Sequence, residues 1–275
     1  MTAVEHWEQA LAAWAIPPHI LEAAPESPWG YPVAQFAHRA DALSEAPTPS
    51  QRRAREALPS GGTVLDVGCG AGAASLPLAH RAGHLVGVDP SPEMLREFRR
   101  RAQAIGVAVT SLLGAWPDSA PAAPVADVVV CHHVAYNVAD LATFACTLTL
   151  HARERVVLEL TMEHPLTGLN DLWLRFHGLV RPTTPTADDA LAVVREIGSE
   201  PLREEWTAPA FTAFATAEEL VVWTRRRLCL PADRDPEIAA ALASRIIRQE
   251  DGSACLPPRR VVTLWWDGAA PVESR

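Results

Sequence analysis

Val64-Leu65-Asp66-Val67-Gly68-Cys69-Gly70-Ala71-Gly72-Ala73-Ala74 is the stretch that decides how this chain is read. An apolar strand runs straight into glycines and then into an expected helix, so the backbone can turn tightly and approach a ligand closely. Such a turn binds a nucleotide-like cofactor. A dinucleotide site reads G-x-G-x-x-G/A, which Gly68, Gly70 and Ala73 satisfy, with Asp89 placed 21 residues beyond Gly68 where an acid holds ribose hydroxyls. Asp66 points elsewhere. Two residues before the first glycine, an acid repels a pyrophosphate and favours a cationic ligand bearing an amine and a sulfonium.

Outward from the turn, short apolar runs at 63–67, 84–88, 107–113, 127–132 and 155–161 alternate with helical segments, the pattern of a parallel sheet covered on both faces. Thr48-Pro49 starts a helix, and Ser91 caps another with Pro92 and Glu93 in its first turn. Beyond the fifth strand the sequence predicts helices at 187–197 and 236–248, strands at 202–206 and 261–266, and a capping box at Thr216-Ala217-Glu218-Glu219. The fold class is α/β: a doubly wound, mostly parallel, seven-stranded Rossmann-like sheet. Residues 1–47 read as a helical cap, 48–275 as the main domain, and 163–186 and 209–256 as helical lid insertions.

Asp66, Gly68, Gly70 and Gly72 form D-x-G-x-G-x-G, followed by Val86-Gly87-Val88-Asp89 and Ala126-Asp127-Val128-Val129-Val130-Cys131. In these residues the chain resembles the class I S-adenosylmethionine-dependent methyltransferases. The resemblance implies S-adenosylmethionine as cofactor and S-adenosylhomocysteine as product. It places Asp66 and Gly68 near the methionine amine and carboxylate, Asp89 on the ribose hydroxyls, and Pro90 and Met94 beside the adenine. Cys69, Gly70 and Cys131 would line the same pocket. The acid this family often carries after the third strand is replaced by Gly114-Ala115-Trp116, so adenine would rest on backbone at Ala115 and apolar packing on Trp116. Tyr31, from a turn over the site, and Arg39, toward an anionic group, complete the expected cofactor set.

Residues after the fourth strand, Cys131-His132-His133-Val134-Ala135-Tyr136-Asn137, would face the transferred methyl, because open α/β sheets bind ligands beyond the carboxyl ends of their strands. Methyl transfer depends chiefly on alignment. A hydroxyl or thiol acceptor also needs a base near neutrality, which suits His132 or His133, with His164 after the fifth strand as a further candidate. Arg181 is a candidate for an anionic acceptor.

Composition narrows the choice. All 24 positive side chains are arginine, which excludes Schiff-base chemistry, pyridoxal phosphate attachment and a P-loop lysine. A net charge of −9 argues against general nucleic-acid binding. The five scattered cysteines form no C-x-x-C pair, so neither a disulfide framework nor a metal site is expected. The expectation is a cytoplasmic enzyme, monomer or homodimer, acting on a small-molecule acceptor with no membrane or nucleic-acid partner. An NAD(P)-binding Rossmann oxidoreductase and a non-catalytic S-adenosylmethionine-binding protein are the alternatives.

Overall fold

The expected strands are all present in a computed structural model, which describes residues 1–29, 47–208 and 214–269. They are β1 (Gly62–Val67), β2 (Ala82–Asp89), β3 (Ala108–Leu113), β4 (Ala126–His132), β5 (Ala152–Thr161) and β6 (Leu202–Ala208). A small hairpin of β7 (Ile247–Arg248) and β8 (Ala254–Cys255) then precedes β9 (Arg259–Asp267). The main sheet runs β3-β2-β1-β4-β5-β9-β6. Strands β1 to β5 run parallel to one another, and β9 lies antiparallel between β5 and β6. The fold is the doubly wound, mostly parallel seven-stranded sheet that the alternation implied.

Alternation along the central strands explains the layers. Leu65, Val129 and Val156 face one core with Trp7 and Phe144, while Val64, Val128 and Val157 face the other with Leu58 and Phe98. Among the described residues the α-helices are α1 (Ala3–Ala12), α2 (Pro18–Glu22), α3 (Pro49–Ala57), α4 (Pro92–Ala104), α5 (Leu141–Leu150), α6 (Asn170–His177), α7 (Ala187–Glu196), α8 (Ala217–Arg227) and α9 (Asp235–Leu242). Their starts follow the sequence signals: Thr48 accepts from Gln51 N–H, Ser91 from Met94 N–H and Thr216 from Glu219 N–H. A second core joins Ile16, Leu172, Trp173, Leu220 and Ile238, so α6, α8 and α9 form a helical layer of their own over the chain after α1.

Two expected helices differ. The helix expected from 236 to 248 stops at Leu242, and the chain turns into the β7–β8 hairpin. More consequential is the segment after the glycines, where only a 3-10 turn, Leu76–Leu78, forms between β1 and β2. Gly72 holds a left-handed φ of 92°, and Pro77 lacks the N–H a continuing helix would use. No α-helix N-terminus therefore faces the turn, and with it goes the feature that holds a dinucleotide pyrophosphate. No helix among the described residues is long and apolar enough to cross a membrane.

Candidate functional site

Three segments meet at the carboxyl ends of β1, β2 and β4. The glycine turn is left-handed at Gly68, Gly70 and Gly72. The Gly68 and Cys69 N–H groups both donate to the Val88 carbonyl, at 2.8 and 3.0 Å, stitching the turn to the end of β2. Asp89 then closes it: Oδ2 accepts from Gly70 N–H at 2.9 Å and Oδ1 from Ser91 N–H at 2.8 Å. Its charge thus sits at the mouth of the turn, and each oxygen keeps lone pairs for a hydroxyl donor.

Asp66 lies beneath the turn. It is 1% exposed, Ser75 Oγ donates to Oδ2 at 2.5 Å, and buried Oδ1 has no hydrogen-bond partner. Burial, with the charge of Asp89 adding to it, raises the carboxyl to about 7. Asp66 therefore sits under the floor of the turn with one carboxyl oxygen still open to a donor.

The loop after β4 packs against the turn. A Cβ on Gly68 would lie 2.3 Å from Val134 Cγ2, so only glycine lets this loop come so close. His133 precedes Val134 and is itself left-handed, with φ 59°. Both histidines reach one buried carboxylate: His133 Nε2 lies 2.7 Å from Glu159 Oε1, and His132 Nδ1 lies 3.6 Å from Oε2. Glu159 is the residue that sequence reading missed. Its signal was an acid inside Val156-Val157-Leu158-Glu159-Leu160, a run otherwise apolar and fully interior, where a charge needs a partner.

Other expected residues take different places. His164 is buried, stacked on Trp14 at 3.7 Å with Tyr136 edge-on at 5.3 Å, and its Nδ1 accepts from Leu166 N–H at 3.3 Å. Burial, and the nearby Arg181 charge, lower it to about 3, too weak for a base at neutral pH. Arg181 donates to the Ala15 carbonyl at 2.9 Å and to the Trp14 carbonyl, with the rings of Trp14 and Trp173 at 5.4 and 5.0 Å. Through its two terminal nitrogens it clamps the N-terminal segment, which leaves only the buried Nε without a partner.

Cys69 and Cys131 are buried, and burial pushes both thiols well above their ordinary range, so they pack as small apolar groups. Burial likewise raises the Tyr136 hydroxyl, which stays protonated and donates to the Thr161 carbonyl at 2.8 Å.

On the adenine side, Met94 is buried at the start of α4 and Pro90 and Ala115 are exposed. Trp116, expected to flank the base, is 8% exposed and sits in the main core edge-on to His151 at 4.9 Å. The apolar surface beside Asp89 is instead Leu113, its register partner on β3, left 64% exposed. Tyr31 and Arg39 lie outside the described residues. Among the described residues, no three or more His, Cys, Asp and Glu side chains are placed to hold a metal ion.

S-adenosylmethionine fits these residues: a left-handed glycine turn that no Cβ could occupy at Gly68, an acid at its mouth for two hydroxyls, an exposed leucine beside that acid, and beneath the turn the buried Asp66 carboxyl with an oxygen that no other group takes up.

Known proteins agree. Residues 64–151 match the model of a family described as a methyltransferase domain. Over 88 residues the chain is 35% identical to a ubiquinone biosynthesis O-methyltransferase of Methylobacterium sp. (strain 4-46), covering 32% of this chain and 35% of that protein. Over 163 residues it is 30% identical to one from Rhizobium rhizogenes, covering 52% and 66%. The chain thus spans about a third of the length of the Methylobacterium relative.

Among solved structures, the YcgJ protein of Bacillus subtilis superposes with a TM-score of 0.53 at 18% identity, over 86% of this chain and 100% of that one. A putative methyltransferase of Bacillus halodurans gives 0.52 at 16%, over 79% and 96%. With the glycine turn and the β3-β2-β1-β4-β5-β9-β6 order, these likenesses identify residues 64–151 as a methyltransferase domain, set in the fold and cofactor turn of the class I S-adenosylmethionine-dependent methyltransferases.

Proposed function

We propose that the protein methylates a hydroxyl group of a small-molecule acceptor at the carboxyl ends of β1, β2 and β4, with His133 taking the acceptor's proton. The observation that carries this reading is the contact of Val134 with Gly68, which sets His133 beside the turn that Asp89 closes. Bound S-adenosylmethionine supplies a methyl group on a sulfonium, a centre that needs no metal or lysine. Asp89 holds the ribose, and the turn holds the methionine end. His133, with its side chain 18% exposed, is better placed than His132, at 8%, to meet an acceptor.

A hydroxyl must lose a proton as its oxygen is methylated, and an imidazole receives it. The name of the Methylobacterium relative, an O-methyltransferase, supports an oxygen acceptor. A small acceptor suits the acidic chain better than nucleic acid does.

The test is transfer of labelled methyl from S-adenosylmethionine into a panel of hydroxylated aromatic and aliphatic compounds. Wild-type protein labels at least one of them. His133→Ala lowers the rate about 100-fold or more while calorimetric affinity for S-adenosylhomocysteine stays unchanged. Binding of NADPH with neither S-adenosyl compound would sink this reading.

A further inference from the structure

We infer that Glu159 is the positioning residue for His133, fixing which ring nitrogen carries the proton and favouring the charged ring that forms when a second proton arrives; this rests on reading His133 as the base. Glu159 is 1% exposed between Leu158 and Leu160, where an ionised carboxylate persists only if positive or polar groups answer it. The fold supplies that answer twice. His132 is its register partner across β4 and β5, so the parallel ladder places the two side by side.

His133 arrives by another route. In extended backbone it would point to the opposite face from His132, and its left-handed φ of 59° removes that alternation. Its N–H donates to the Glu159 carbonyl at 2.7 Å while its ring Nε2 meets the same residue's carboxylate at 2.7 Å. A histidine held in a costly backbone conformation by two ties to one residue has little freedom to turn its ring.

The consequence is chemical. A carboxylate facing Nε2 favours a proton on that nitrogen, which leaves Nδ1 as the acceptor in the neutral ring. The same negative charge favours the imidazolium, making His133 a stronger base than a solvated histidine.

Imidazole nitrogen and proton NMR titration of the full chain tests this without cofactor or acceptor. In the wild type, neutral His133 should carry its proton on Nε2. In Glu159→Gln the His133 midpoint should fall by about 1 to 3 pH units, and kcat should drop about 10-fold or more with its acid limb moved in the same direction, while affinity for S-adenosylhomocysteine is retained. A wild-type ring protonated at Nδ1, or an unchanged midpoint in Glu159→Gln, overturns the proposal. The tautomer is read on the wild type, so the test stands if the variant misfolds. Failure of the wild type to bind S-adenosylhomocysteine would instead strike the methyltransferase reading, and the NMR result would still decide the link between Glu159 and His133.

Discussion

Val134 occupies the space that the missing side chain of Gly68 leaves open: a Cβ on Gly68 would stand 2.3 Å from Val134 Cγ2. The glycine turn after β1 and the loop after β4 that carries His133 are therefore one packed unit, and a change in either shifts the other.

Gly68→Ala should cost about 2 to 4 kcal/mol, combining a left-handed alanine with overpacking against Val134. Urea denaturation measures it. Adding Val134→Ala should restore part of the loss, because the two positions touch. Strict additivity of the two changes would mean that the contact is not the source of the strain.

Asp89→Asn keeps the shape of the side chain and removes its charge. Affinity for S-adenosylhomocysteine should weaken by about 1 to 3 kcal/mol, the worth of charge-assisted hydrogen bonds to the ribose. Calorimetry on both proteins reads this directly, and equal affinities would take Asp89 out of the site.

The two buried titrating groups pull stability in opposite directions with pH. Asp66, raised from 3.8 to about 7, binds a proton in the folded chain after the unfolded chain has lost it, so its contribution to stability falls as pH rises from about 4 to 7. His164, lowered from 6.5 to about 3, refuses a proton that the unfolded chain accepts, so its contribution is lost as pH falls below 6.5. Asp66→Asn should therefore gain stability relative to wild type between pH 4 and 7, by up to about 4 kcal/mol. His164→Gln should lose less than wild type on acidification. Denaturation midpoints at pH 4.5, 6 and 7.5 separate the two, and parallel curves for wild type and Asp66→Asn would show that the carboxyl is not shifted.

Trp14→Ala removes the ring stacked on His164 and flanking Arg181, along with the indole N–H that donates to the Thr184 carbonyl at 2.7 Å. The cost should be about 3 to 5 kcal/mol. With burial relieved, the His164 midpoint should rise toward its ordinary value. An NMR titration in which that midpoint stays put would place the cause of its depression elsewhere.

Strand positions, the helix starts at Thr48, Ser91 and Thr216, and the glycine turn with Asp66 and Asp89 were all legible before folding. Each is a local property: side-chain alternation, an oxygen three residues from a free amide, a left-handed backbone that only glycine adopts cheaply. Locality also explains the failures. A helix was expected after Gly72 because a strand, glycines and an alanine-rich run usually precede one, yet the left-handed Gly72 and Pro77 hold the segment to a 3-10 turn. Trp116 looked like an adenine platform next to Ala115, and its ring lies in the core.

Which residues share a site was decided only by the tertiary structure. In sequence, His132 and His133 lie 27 and 26 residues from Glu159, and nothing in that spacing brings them together. The parallel register of β4 with β5 sets His132 beside Glu159, and the left-handed turn at His133 folds the next ring onto the same carboxylate. Burial then makes that carboxylate matter, since a charge withdrawn from water acts strongly on what it touches. The sequence by itself determined the sheet and the family of cofactor, through local pattern. The candidate base and the acid behind it depend on a packed arrangement that no single stretch of chain encodes.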